Sequence, residues 1–284
     1  MNLVVIGAGP AGEAAAKFAA KMKASVTLIE KDFVGGVCLN WGCIPSKTLL
    51  AYAKKIRDQK NLAQSGITVR LGLPSSRRDF LWREMRKQKD LVIEKLREDD
   101  EKSISLSGAK ILKGQAQFAS KKSLEIITKD GGQTLEFDKA VIATGSVPVF
   151  PPPLDFHQRD ILDSDRIFDL EKIPENMLIV GGGAVGCEFA CLLHEIGVQA
   201  TIVEKTDGLL PGEDPQIVNV LTKSFEERGI VVKHSVTVEK IEKVFKGWKA
   251  VLSDGFELET AQILVCVGRK PRIQGLGLDK ASVG

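Results

Sequence analysis

The sequence predicts an α/β protein made of two similar units in tandem, and three observations carry that prediction. The first is an internal repeat. The second is a G-x-G-x-x-G turn that sits, in each copy, between an apolar run and a small-residue-rich helical stretch. The third is a composition ordinary for globular domains: 43% apolar and 27% charged residues among 284, with a net charge of +3. This length suits about two domains. So small a net charge sets up no field for nucleic acid or an anionic membrane. The apolar runs are short, broken by glycine, and well below a membrane span. Met1-Asn2 leads directly into Leu3-Val4-Val5-Ile6 without a basic start or cleavage site, so no signal peptide is expected and the chain reads as cytoplasmic.

Residues 3–31 read LVVIGAGPAGEAAAKFAAKMKASVTLIEK, and residues 177–205 read MLIVGGGAVGCEFACLLHEIGVQATIVEK. Gly7 matches Gly181 and Glu30 matches Glu204 at one offset of 174 residues, with no gap. Each copy is a strand, a glycine turn, a helix, a second strand and a terminal acid. That is the βαβ dinucleotide fingerprint in its required context, so two Rossmann-like domains and two bound dinucleotides are expected. Gly7 and Gly181 permit the tight turn, and Gly9 and Gly183 let backbone approach a pyrophosphate. Gly12 and Gly186 allow close helix–strand packing. Free N–H groups at the helix start favour the phosphates, while Glu30 and Glu204 are placed to accept hydrogen bonds from ribose hydroxyls.

The remaining elements follow in order. A helix is expected after Pro45, through Lys47-Thr48-Leu49-Leu50. A charged helix is expected over roughly 78–101, with Phe80, Leu81, Met85, Leu91, Val92 and Leu96 as candidate buried positions. Its basic residues (Arg77, Arg78, Arg83, Arg86, Lys87, Lys89) alternate with acids, which reads as a solvated face. Strands are expected over Ala109–Phe118, Leu124–Thr128 and Thr134–Phe137, with the turn Lys129-Asp130-Gly131-Gly132 between the last two. Lys139–Thr144 reads as a buried strand. Val147–Pro153 is too proline-rich for a helix and reads as a linker. The expected division is a first domain over 1–150, a second over 151–270, and a short return over 271–284.

Five cysteines are present, and an odd number in the cytoplasm argues against a structural disulfide framework. A bridge there would have a redox role, and Cys38 and Cys43 are the pair to test; the alternative is two thiols packed as small hydrophobes. Cys187 and Cys191, one helical turn apart, read as helix–sheet packing because no His or Cys stands at a matching zinc spacing. Cys266 reads as core. His194 reads as a surface or capping residue, and His157 and His234 have no partner motif.

GGVCLNWGCIPSK, residues 35–47, resembles the redox-disulfide motif of the class I pyridine nucleotide–disulfide oxidoreductases. The resemblance spans the whole chain, through Ala143-Thr144-Gly145, the second nucleotide fold, and the strand Ile263–Val267 ending in Gly268-Arg269-Lys270-Pro271. It implies FAD in the first domain, held by Gly7, Gly9, Pro10, Ala11, Gly12, Glu30, Lys31, Gly36, Val37, Lys47, Ala116, Ala143, Thr144 and Gly145. It implies NAD in the second, held by Gly181, Gly183, Ala184, Val185, Gly186, Glu204, Val236 and Gly268. The implied catalytic residues are Cys38, which exchanges with substrate, Cys43, which faces the flavin, Lys47 beside the flavin, and Glu188 pairing with that lysine near the nicotinamide. No metal is implied. Val37 departs from a threonine common in the family.

Within the family the chain is most similar to the dihydrolipoamide dehydrogenases. An acid at Glu204 repels a 2′-phosphate and so disfavours the NADP-dependent glutathione reductases. A soluble transhydrogenase lacks one cysteine of the pair, and mercuric reductase stays open. The implied partner is a dithiol or disulfide substrate, such as the lipoyl domain of a 2-oxoacid dehydrogenase complex. The family's Gly-Asp turn and interface domain, with its His–Glu pair, do not appear before Gly284. A C-terminally truncated form is therefore expected, with a homodimer only for the full-length form. A nucleotide-binding module without turnover is the alternative from a different class.

Overall fold

The computed structural model describes residues 1–65, 78–157 and 159–283, with the backbone alone of Phe156; Arg77, expected on the charged helix, lies outside them. The chain divides into two compact units. One is Met1–Pro45, Asp90–Val147 and Lys270–Gly284; the other is Ser46–Lys89 and Pro148–Arg269. This corrects the expected linear division. Residues 46–89 group with the second unit because Leu49, Ala53, Trp82 and Met85 are buried in its core, and residues 270–284 return to the first.

In the first unit, β1 (Asn2–Ile6), α1 (Pro10–Lys21) and β2 (Ser25–Glu30) make the expected βαβ unit. Helix α2 (Gly36–Trp41) follows; the next two, α3 (Cys43–Gln64) and α4 (Arg78–Leu106), are shared, with α3 from Ser46 on and α4 up to Lys89 belonging to the second unit. Next come β3 (Lys110–Lys113), β4 (Gln115–Ser120), β5 (Ser123–Thr128), β6 (Gly131–Glu136), β7 (Lys139–Ile142) and β8 (Ser146–Pro148). A parallel sheet runs β3-β2-β1-β7, and β4-β5-β6 form an antiparallel meander. Strand alternation explains how β1 serves two layers. Leu3 and Val5 face Ala16 of α1 and Ile104 of α4. Val4 and Ile6 face Phe118, Leu124 and Ile126 of the meander.

The second unit repeats this plan with β9 (Leu162–Asp163), β10 (Asn176–Val180), α5 (Ala184–Glu195), β11 (Gln199–Val203), α6 (Pro215–Glu227) and β12 (Val231–Lys233). A meander of β13 (Val238–Val244), β14 (Gly247–Leu252) and β15 (Glu257–Thr260) precedes β16 (Gln262–Val265) and β17 (Arg269–Pro271). The parallel sheet runs β12-β11-β10-β16-β9. Met177 and Ile179 face Phe189 and Leu193 of α5, whereas Leu178 and Val180 face Trp248, Ala250 and Leu252 of the meander.

Several expectations shift in detail. The helix expected after Pro45 starts at Cys43, which places Pro45 in the first turn, where a missing N–H costs nothing. The run Ala109–Phe118 is two strands in two sheets, divided at Gly114, where a Cβ would lie 2.7 Å from Ile126 Cγ2. The turn between β5 and β6 is two residues long, because Gly131 already pairs with Thr128. β7 is an edge strand with no fully buried residue, not the buried strand expected of Lys139–Thr144. On α4, Phe80, Leu91 and Val92 are exposed, and Leu81 and Leu96 are half-buried; the buried positions are Trp82, Met85, Lys89, Ile93 and Ile104.

Candidate dinucleotide and redox sites

The two glycine turns are built alike. Gly7 and Gly181 have φ of +102° and +110°, and a Cβ there would lie 2.3 Å from Ala143 O and 2.5 Å from Cys266 O. At Gly12 and Gly186 a Cβ would lie 1.8 Å from Gly7 O and 2.0 Å from Gly181 O, so each helix closes on its own turn. Gly9 and Gly183 differ. Both are extended, and an added Cβ would meet only Gly36 Cα at 3.6 Å in the first case and nothing within 4 Å in the second. Folding leaves these two positions open, as a ligand lying against the backbone requires. Neither α1 nor α5 has a side-chain cap, so no N-cap side chain takes up their first amides.

The terminal acids are held more firmly than the sequence implied. Glu30 accepts from the N–H groups of Ala8 and Asp32, both at 2.8 Å. Glu204 accepts from Gly182 N–H at 2.7 Å, and from Thr206 N–H and Oγ1–H, both at 2.9 Å. A carboxylate offers about four lone-pair sites, so both can still receive a ribose hydroxyl. Burial alone would raise the Glu204 carboxyl, but the N–H bonds from Thr206 and Gly182 hold it below its ordinary range and keep it charged.

Each unit carries one large cavity beside its turn. The first, of about 310 Å³, is lined by every residue expected around FAD except Gly12, which packs under the turn, and Lys47, which belongs to the second unit. The second, of about 610 Å³, is lined by every residue expected around NAD except Gly186, again a packing glycine. Sequence reasoning missed Asp32, Phe33, Trp41, Gln115, Arg272 and Gln274 in the first cavity and Lys205 and Arg269 in the second. The repeat could have given Lys205, because Lys31 holds the matching position. Arg272 carried no such signal.

Gly42, with φ −136° and ψ −115°, separates the two cysteine helices; a Cβ there would lie 2.9 Å from Val37 O. Cys38 sits half-buried on α2 and lines the first cavity. Cys43 is exposed at the first residue of α3; it is not among the cavity's lining residues. Buried Asn40 pins α2, donating from Nδ2 to Val34 O and Gly36 O, both at 2.8 Å. Arg97 Nε donates to Asn40 Oδ1 at 2.5 Å, and the guanidinium lies 3.9 Å from the Phe33 ring centroid. In the second unit Lys47 Nζ donates to both Glu188 oxygens, at 2.7 and 2.8 Å, which is the pairing the resemblance implied.

The other cysteines are all in the second unit. Cys187 is buried, donates to Gly182 O at 3.3 Å, and burial pushes its thiol up to about 12. Cys266 is half-buried, packs against the same core, and is pushed up in the same direction for the same reason. Cys191 faces Arg228 at 3.8 Å. His194 is half-buried, and burial and then Arg228 lower its pKa. Among the described residues no helix is long and apolar enough to cross a membrane.

A family model described as pyridine nucleotide-disulphide oxidoreductase matches residues 1–284. The chain is 37% identical over 285 residues to a dihydrolipoyl dehydrogenase of Bacillus subtilis, covering 100% of this chain and 61% of that one. It is 33% identical to one from Halobacterium salinarum, covering 98% and 59%. Among solved structures, LpdA from Mycobacterium tuberculosis superposes at TM-score 0.87 with 25% identity, over 100% of this chain and 62% of that one. The HOCl-induced flavoprotein disulfide reductase RclA from Escherichia coli superposes at 0.83 with 27% identity, over 100% and 60%. The chain thus spans about 60% of the length of the relatives it matches.

Proposed function

The chain belongs to the pyridine nucleotide-disulphide oxidoreductase family, and from that premise we propose that it moves electrons between NAD(H), FAD and a Cys38–Cys43 disulfide, within an enzyme of the dihydrolipoyl dehydrogenase type. The observation that most supports this is one cavity bounded by a phosphate turn, a ribose-binding acid and the sulfur-bearing residue Cys38. Bound FAD supplies two-electron exchange between a hydride donor and a disulfide. Gly9 and the first amides of α1 bind the FAD pyrophosphate, and Glu30 its ribose. Gly183, α5 and Glu204 do the same for NAD.

The cysteines carry the substrate half of the reaction. One thiolate of a dithiol substrate attacks Cys38 Sγ, the Cys38–Cys43 bond breaks, and Cys43 leaves as a thiolate. The second substrate thiol displaces Cys38, releasing an oxidised substrate and leaving two reduced cysteines. Reoxidation of that pair passes two electrons to NAD⁺, giving NADH and one proton. Glu188 orients Lys47, accepting from its Nζ through both carboxylate oxygens. The substrate is a dihydrolipoyl group, such as one carried by a lipoyl domain.

The test runs the reaction backwards. The FAD-loaded chain is titrated with NADH without oxygen, and new thiols are alkylated and mapped. Two are expected per NADH consumed, on Cys38 and Cys43. NADH oxidation without new thiols, or with label on Cys187 or Cys191 instead, would overturn the proposal.

A further inference from the structure

We propose that Arg272 is a phosphate ligand of the first cavity, donating from its Nε–H to the pyrophosphate of the dinucleotide bound there. The inference rests on reading that cavity as the FAD site, and it adds a residue the glycine fingerprint does not contain.

Arg272 lines the cavity together with Gly7, Gly9 and Ala11. Its Nε is buried and meets no hydrogen-bond acceptor among the described residues. The residue as a whole is half-buried, but a buried N–H with nothing to accept from it is unfavourable unless a ligand completes the site. The backbone fixes where the side chain starts. Arg272 N–H donates to Gly145 O at 2.9 Å, and its carbonyl accepts from Thr144 Oγ1–H at 2.7 Å. That turn abuts the phosphate loop, since Ala143 N–H donates to Ile6 O at 2.8 Å and Ala143 O lies 2.3 Å from where a Gly7 Cβ would be.

Charge points the same way. The Gly7–Gly12 turn holds no basic residue, so its own donors are neutral amides. The acids of the cavity are already engaged: Asp32 pairs with Lys31 at 3.4 Å, and Glu30 holds two backbone N–H groups. A dinucleotide pyrophosphate brings two negative charges to a turn otherwise lined by uncharged donors. A guanidinium suits it because its charge is fixed and its donors are planar.

The experiment measures binding of FAD and of riboflavin, which has no phosphate, to the whole chain and to its Arg272→Gln and Arg272→Lys variants by calorimetry. Loss of a charge-assisted hydrogen bond should weaken FAD by about 10- to 100-fold in Arg272→Gln and leave riboflavin within about twofold. Arg272→Lys keeps the charge without the Nε donor and should fall between. Unchanged FAD affinity, or an equal loss for riboflavin, overturns the role of Arg272 while the FAD assignment stands. A wild-type chain that takes up no FAD overturns both. Should circular dichroism show Arg272→Gln unfolded, Arg272→Lys decides alone, and wild-type FAD affinity in that variant overturns the proposal.

Discussion

Lys47 and Glu188 meet at 2.7 Å with side chains 58% and 32% exposed, and solvent-screened pairs of that kind contribute about 0–1 kcal/mol to stability. The pair therefore has little to do for folding, which leaves a functional role as the better account of its bidentate geometry. Glu188→Gln should shift unfolding free energy by no more than about 1 kcal/mol and slow reduction of the protein by NADH about 10-fold or more. Stopped-flow absorbance against a denaturation curve separates the two, and a destabilised variant with a normal rate would refute the role. Glu204 makes the opposite case, because it is buried and accepts three hydrogen bonds. Its folded carboxyl lies below the ordinary 4.5, so its contribution is complete above that value and is lost as pH falls through the folded-state pKa. Glu204→Gln should be less stable than wild type at neutral pH, and the gap should close in acid; a constant gap across an acid titration counts against this. The same charge should favour NADH over NADPH by about 100-fold, and equal affinities in a binding titration would dismiss that selectivity.

At the scale of elements, glycines of one motif separate into packing and binding classes that a substitution can tell apart. Gly12→Ala and Gly186→Ala push a methyl to within 2.0 Å or less of a carbonyl oxygen. Each should cost about 3 kcal/mol or more, because the helix must lift from its strand. Gly183→Ala meets nothing and keeps φ at −70°, so its denaturation midpoint should stay put. NADH binding should nonetheless weaken about 10-fold, since the methyl enters the space left for phosphate. A stable variant that binds NADH normally would show that the second turn does not hold the nucleotide. Much of this was legible, because both βαβ units, their glycines and their acids follow from local pattern. The face of α4 was not. Trp82 and Met85 are buried in one unit and Ile104 in the other, so the helix has no single apolar stripe, and Phe80, Leu91 and Val92 fill the pattern while lying exposed. Arg272 was hidden for another reason: the turn it bonds to lies 128 residues earlier in the chain.

Across the whole molecule the repeat persists in hydrogen bonds as well as in sequence. Gly7 N–H to Ile29 O and Gly181 N–H to Val203 O are both 2.8 Å, and the partners of Glu30 and Glu204 stand at the same offset of 174 residues. Against that duplicated frame, the cysteines divide unequally: Cys38 and Cys43 lie in the first unit, and Cys187, Cys191 and Cys266 in the second. The division predicts an order of reactivity. A thiol of ordinary pKa near 8.5 is a few per cent thiolate at neutral pH. Cys187, pushed to about 12 by burial, holds roughly a thousandfold less thiolate, and Cys266 is shifted the same way. In the reduced, folded chain, Cys43 should alkylate fastest, being the exposed one of the five. Cys187 should label about a thousandfold more slowly, and Cys266 more slowly than Cys43, until denaturant releases them. Timed iodoacetamide labelling read by peptide mass measures all five at once. If Cys187 or Cys266 labels as fast as Cys43 before unfolding, their burial is not what sets their chemistry, and the assignment of redox work to the first unit's pair loses its physical basis.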